Sequence, residues 1–154
     1  LNGHADQVSR VVWSPDGRCV LTSNGQKQSV IWDAGTWQAR AELTGNLGGN
    51  TTTFALSPDG ETAVIAQGER LQLVSTKSGE LVASFESPEA QGMAAAVRFD
   101  PDGKTFGVLW HDGRLDRFDV EAIRTASRSS SMNAAQCLDF SFTLSIHFGS
   151  SSEP

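Results

Sequence analysis

Pro-Asp-Gly occurs at residues 15–17, 58–60 and 101–103, each copy 43 residues beyond the last. A fixed period of that size is the mark of stacked or radially repeated units, so it constrains the fold more than any single residue does. Pro presets φ at the first turn position, Asp suits the second, and Gly takes the positive φ that closes the bend. Gly17, Gly60 and Gly103 are therefore expected to be structural, each closing a tight hairpin between the first two strands of its unit.

Around these turns the chain divides into short β-prone runs separated by Gly, Asn, Asp and Ser. The first unit offers 8–13, 18–23, 29–32 and 37–43; the second offers 52–56, 62–66, 70–74 and 80–85. The third gives 93–99, 104–110 and 114–118, then a poor fourth run near 120–126. No apolar spacing of three and four persists for a dozen residues, so helix is not expected. Trp13, Leu56 and Phe99 hold one equivalent slot, and Trp32, Val74 and Phe118 another. Both slots are expected to lie in the core between neighbouring sheets. The reading is all-β, with units at about 1–43, 44–86 and 87–126. A Ser-rich linker and tail follow at 127–154, in which 138–148 alternates apolar and polar residues like the strand of an interrupted fourth unit. The chain opens on its first recognisable element without an initiator Met, and reads as a piece of something longer.

The 154 residues carry a formal net charge of −6, with Lys and Arg scattered. Nucleic acid needs a basic patch, so it is not an expected partner. No apolar run reaches the roughly 18 residues that span a bilayer, so no membrane partner is expected and a cytoplasmic setting is assigned. Cys19 and Cys137 have no paired spacing, and His4, His111 and His147 have no metal-ligand spacing. Asp100-x-Asp102-Gly103 has the opening of a calcium loop but lacks its remaining ligands. The glycines at 45, 48 and 49 lack the Lys-Ser/Thr ending of a phosphate loop. No Ser, His and acid set stands out. Neither a catalytic residue, a metal nor a cofactor is expected.

Gly3-His4, Val11-Val12-Trp13-Ser14-Pro15-Asp16-Gly17 and Val30-Ile31-Trp32-Asp33 together resemble a WD-repeat unit, with its Gly-His start and Trp-Asp end. The resemblance runs from about residue 1 to 119 and is strongest in the first unit. It implies a β-propeller architecture: about three four-stranded antiparallel blades, open rather than closed, because three blades fall short of the usual 4–8. It also implies that His4, Ser23 and Trp32, with Asp33 closing the strand, stiffen the first blade. The Asp that such units place in the turn is replaced here by Gln26-Lys27-Gln28. The second unit has Gly45-Asn46 and Val74-Ser75 in place of the family pairs, and the third ends in Phe118-Asp119. The implied function is a non-enzymatic scaffold for protein or peptide partners, completed by the remaining blades of a parent chain. A lactonase-like propeller hydrolase is the alternative. In such an arrangement one end of the blades would carry the partner-binding face, including His4, Asp6, Gln26, Lys27, Arg70, His111 and Arg114. Trp37 stands next to a turn, where these repeats often carry Gly.

Overall fold

The computed structural model describes residues 4, 7–24, 28–44, 53–87 and 92–128. Three antiparallel sheets follow one another along the chain. The first contains β1 (Arg10–Trp13), β2 (Cys19–Ser23), β3 (Gln28–Asp33) and β4 (Ala39–Thr44), paired in that order. The second contains β5 (Thr53–Leu56), β6 (Thr62–Gln67), β7 (Arg70–Ser75) and β8 (Leu81–Glu86). The third contains β9 (Ala94–Phe99), β10 (Thr105–Trp110) and β11 (Leu115–Asp119), and the chain then enters α1 (Val120–Arg128). The leading strands β1, β5 and β9 run nearest one another, so the sheets fan out from a common side. This is an open all-β propeller array.

The repeated turn closes each leading hairpin in the same way. Gly17 N–H donates to the Ser14 carbonyl, Gly60 to Ser57 and Gly103 to Asp100, all at 2.9 Å. The three glycines have φ of 73°, 69° and 69°. In each copy the turn aspartate accepts the N–H two residues on: Arg18 to Asp16, Glu61 to Asp59 and Lys104 to Asp102, each at 3.0 Å. The Ser14 and Ser57 hydroxyls add a bond to Asp16 and Asp59. The 43-residue period is thus a period of hydrogen bonds as well as letters.

Strand alternation gives every sheet a front, turned toward the preceding sheet, and a back, turned toward the next. The back row Val12, Leu21, Ile31 and Ala41 of the first sheet packs with the front row Leu56, Ala63 and Val74 of the second. The back row Ala55, Val64, Leu73 and Ala83 of the second sheet packs with Phe99, Phe106 and Phe118 of the third. Where the back row is small, the front row is aromatic; Phe106 and Phe118 stack with centroids 5.3 Å apart. Burying one such side chain stabilises the pair by about 1.5–3 kcal/mol.

The turns key into one another as well. A Cβ on Gly60 would lie 3.2 Å from Asp16 of the first sheet, and one on Gly103 would lie 3.2 Å from Pro58 of the second. Gly17, at the front of the array, has nothing within 4 Å. Leu56 and Phe99 pack against the sheet in front of them, but among the described residues Trp13 has no such sheet, and it is 50% exposed. The expected core slot exists, but its first occupant lies at the open end.

The third unit departs from expectation. Its fourth strand is replaced by α1, so the sheet has three strands rather than four. In the first two units the chain reverses through a residue in the left-handed region, Trp37 at φ 57° and Gly79 at φ 75°. The third has no glycine after Asp119, and Glu121, Ala122 and Arg124 favour helix. Asp119 caps it, its carboxylate accepting the Ala122 N–H at 2.8 Å. Val120 and Ile123, one turn apart, join the core between the second and third sheets. The pattern was too short for the dozen-residue criterion, yet docking stabilises it. The segment 138–148 lies outside the described residues.

Gly79 and Gly17 separate two kinds of glycine requirement. A Cβ on Gly79 would lie 2.8 Å from the Ala41 Cβ, whereas Gly17 faces open space. Gly17→Ala should cost about 1–2 kcal/mol for the left-handed backbone alone. Gly79→Ala should cost about 2–4 kcal/mol by adding overpacking between sheets. Urea denaturation of both variants measures the difference.

Candidate functional site

Two buried polar knots and one exposed loop surface hold the chemistry of this array. The first knot lies on the front of the first sheet. Thr22 Oγ1 receives the Trp32 indole N–H at 2.7 Å and lies 2.6 Å from His4 Nε2. The His4 and Trp32 rings are 6.4 Å apart and tilted. His4 and Trp32 thus meet at one hydroxyl, and that hydroxyl is Thr22 and not Ser23. Alternation turns the Ser23 side chain to the opposite face, while its carbonyl accepts the Ser9 N–H at 2.8 Å and extends the β1–β2 ladder. Strand parity relative to Trp32 could have shown this in the sequence, since Val20 pairs with Trp32 and Thr22 shares Val20's face.

Asp33 organises the turn that follows. Its carboxylate accepts the Gly35 and Thr36 N–H groups at 3.0 and 2.8 Å and both Arg40 Nε and Nη2. The Arg40 guanidinium, followed by the Thr36 N–H and hydroxyl, holds this carboxyl well below the usual carboxylate range. The Ser14 hydroxyl and Arg18 N–H lower Asp16, and the Thr105 hydroxyl, then Arg117, lower Asp100. Burial pushes the Cys19 thiol up.

The second knot joins the second and third sheets and was not anticipated as a set. Asp116, buried, accepts the Trp110 indole N–H at 2.8 Å, Arg114 Nη2 at 3.0 Å and the Ser87 hydroxyl at 3.3 Å. Arg114 Nη2 also reaches Ser87 Oγ at 3.2 Å. Arg114, read from sequence as a candidate partner-binding residue, has a side chain only 14% exposed and sits inside this knot. The alternation Arg114-x-Asp116 on β11, opposite Trp110, is its sequence signature.

Around the second knot the connections between strands meet. Ala94 N–H donates to the Gly68 carbonyl, His111 N–H to Met93 and Ser87 N–H to Glu69, at 3.0–3.1 Å. Gly92 N–H reaches the Glu69 carboxylate at 3.3 Å. These bonds bring the β6–β7 turn, Ser87, Gly92 and Met93, and the β10–β11 turn into one surface. Met93 stands 42% exposed there, with Glu69, Arg70 and His111 exposed about it. Arg70 pairs with Glu86 at 2.9 Å across β7 and β8. Arg70 and His111 therefore lie on the second and third sheets' contributions to one end of the array. Asp6, Gln26 and Lys27 lie outside the described residues.

A groove of about 710 Å³ lies on the side of the Pro-Asp-Gly turns, lined by Arg18, Arg40, Lys77 and Arg124 with Asp59 and Glu61. A second, of about 450 Å³, runs along the leading strands, with Arg10, Phe54 and Arg98 among its walls. Among the described residues no group of three His, Cys, Asp or Glu side chains could hold a metal ion, and no helix is long and apolar enough to cross a membrane.

Comparison with known proteins gives one partial likeness. Over 61 residues the chain is 38% identical to an uncharacterized WD repeat-containing protein of Synechocystis sp.. That stretch is 39% of this chain and 17% of the relative, so the chain spans well under two thirds of the relative's length. No family model matches the chain.

Breaking either knot should be costly. Thr22→Val removes the acceptor of a buried indole N–H and should lose about 1–3 kcal/mol, which Thr22→Ser largely restores. Asp116→Ala leaves a buried Arg114 and Trp110 without their shared carboxylate and should lose about 3–5 kcal/mol. Thermal and urea unfolding check both. Acid sensitivity follows from the three lowered aspartates. Their folded pKa values lie below the ordinary 3.8, so their stabilisation is complete above that value and is lost as pH falls below it. Urea midpoints should be flat down to about pH 5 and drop below about pH 4, less steeply in Asp33→Asn.

Proposed function

We propose that this chain is a segment of a WD-repeat scaffold, and that it recognises protein or peptide partners with the loop surface around Met93. The carrying observation is the set of backbone bonds among Gly68, Glu69, Ser87, Met93, Ala94 and His111. They bring residues from two sheets together in one place, so ordering these residues costs little when a partner binds. Loops fixed on a rigid frame carry recognition disproportionately. An exposed methionine adapts to varied apolar partners, while Glu69, Arg70 and His111 around it supply polar selectivity. The partial likeness to a WD repeat-containing protein supports the same reading.

A hydrolytic role would need polar side chains from several sheets converging on an open cleft. The two buried knots are closed around indole N–H groups, and the open groove on the Pro-Asp-Gly side is lined by Arg, Lys, Asp and Glu with no His or Cys among its walls. The reading is therefore a non-enzymatic one.

Affinity capture with the 154-residue chain tests it. Partners retained by the parent sequence should be lost by Met93→Glu with His111→Ala, and kept by Lys77→Glu on the Pro-Asp-Gly side. Equal retention by all three, or turnover of small esters that survives none of the loop changes, would contradict the proposal.

A further inference from the structure

Four of the 12 Lys and Arg residues of this acidic chain meet at the groove on the Pro-Asp-Gly side. They arrive on different parts of the frame. Arg18 follows the first Pro-Asp-Gly turn and Arg40 lies on β4, both in the first sheet, while Lys77 lies in the β7–β8 turn of the second. Arg124 reaches back from α1, its Nη2 donating to the Thr62 hydroxyl at the start of β6, 2.6 Å away. The groove is therefore complete only when all three units are stacked. Its volume of about 710 Å³ is that of a small-molecule site.

Hydrogen-bonding capacity around this groove is unbalanced. The turn carboxylates are taken up by the chain itself: Asp16 accepts the Ser14 hydroxyl and the Arg18 N–H, and Asp59 accepts the Ser57 hydroxyl and the Glu61 N–H. Glu61, the other acid on the walls, is exposed. The cationic donors are left over. The Lys77 ammonium is exposed and has no hydrogen bond or ion pair among the described residues. The Arg18 guanidinium reaches only to 4.0 Å from Asp16 and is 81% exposed. Arg40 gives Nε and Nη2 to Asp33, which leaves its Nη1.

Arg124 is the most telling of the four. Its Nη1 donates to Glu121 at 3.1 Å and its Nη2 to Thr62, yet its Nε is buried with no hydrogen-bond partner. A buried charged donor left unbonded marks the place of a water or an ion. Such walls suit a ligand with negative charge and several acceptor oxygens. A guanidinium fork matches two phosphate oxygens, and an ammonium adds a compact point charge beside it.

We infer that this groove binds a phosphate group, either as the free anion or on a small phosphomonoester. The Arg124 Nε is the buried anchoring donor, and Lys77 and Arg18 supply charge from the exposed walls. The inference is independent of the loop surface around Met93, which lies at the other end of the array.

Titration of the isotope-labelled 154-residue chain with inorganic phosphate, and separately with methyl phosphate, tests it by nuclear magnetic resonance. The readout is the arginine Nε–H region, with the Arg124 signal assigned by its loss in Arg124→Lys. That signal should shift and saturate with either ligand. Lys77→Gln, at an exposed turn position that leaves the fold intact, should weaken the binding about tenfold. Tighter binding of methyl phosphate would assign the site to an ester, and tighter binding of phosphate to the free anion. An Arg124 Nε–H signal that does not move with either ligand would overturn the inference. So would equal shifts with acetate at the same ionic strength, or binding that Lys77→Gln leaves unchanged.

Discussion

Front-to-back burial between successive sheets is the interaction on which the rest of this molecule depends. Each sheet is too small to bury two faces alone, and an isolated sheet of this size is marginal in water. The row Val12, Leu21 and Ile31 gains its burial only because Leu56, Ala63 and Val74 arrive against it. The same is true of Ala55, Val64 and Leu73 beneath the three phenylalanines. Stability of this kind is a sum of nearest-neighbour interfaces, so the end faces are energetically distinct from the middle.

The polar features are subordinate to that stacking but make it specific. Asp116 draws together Ser87 from the end of the second sheet and Trp110 and Arg114 from the third. Such a set fixes one arrangement of the two sheets where apolar packing alone would tolerate several. The Pro-Asp-Gly turns do the same at the other end, Gly60 against Asp16 and Gly103 against Pro58. Between these clamps the loop surface around Met93 is presented on a frame that does not have to rearrange.

Much of the fold was legible because its signal is local. Turn chemistry at 43-residue spacing and two-residue alternation are both properties of short stretches, and eleven strands lie where those stretches place them. What escaped was set by contacts between stretches. The helix after Asp119 is stabilised by Val120 and Ile123 docking on the second sheet, which no nine-residue pattern announces. Thr22 rather than Ser23 serves the first knot because pairing parity, not residue type, decides which hydroxyl faces Trp32. Arg114 looked like a displayed loop cation because its partner Ser87 lies 27 residues away. Arg70 opens β7 beside the β6–β7 turn, and His111 lies in the β10–β11 turn.

The stacked-sheet account is tested most directly by proton–proton contacts between consecutive turns in nuclear magnetic resonance spectra. It predicts strong cross-peaks from the Gly60 α-protons to the Ser14 β-protons, and from the Gly103 α-protons to the Pro58 δ-protons. Such cross-peaks can arise only if the turns of neighbouring sheets lie against each other, 43 residues apart in the chain. Their absence, with the hairpins themselves intact, would show that the sheets do not stack front to back.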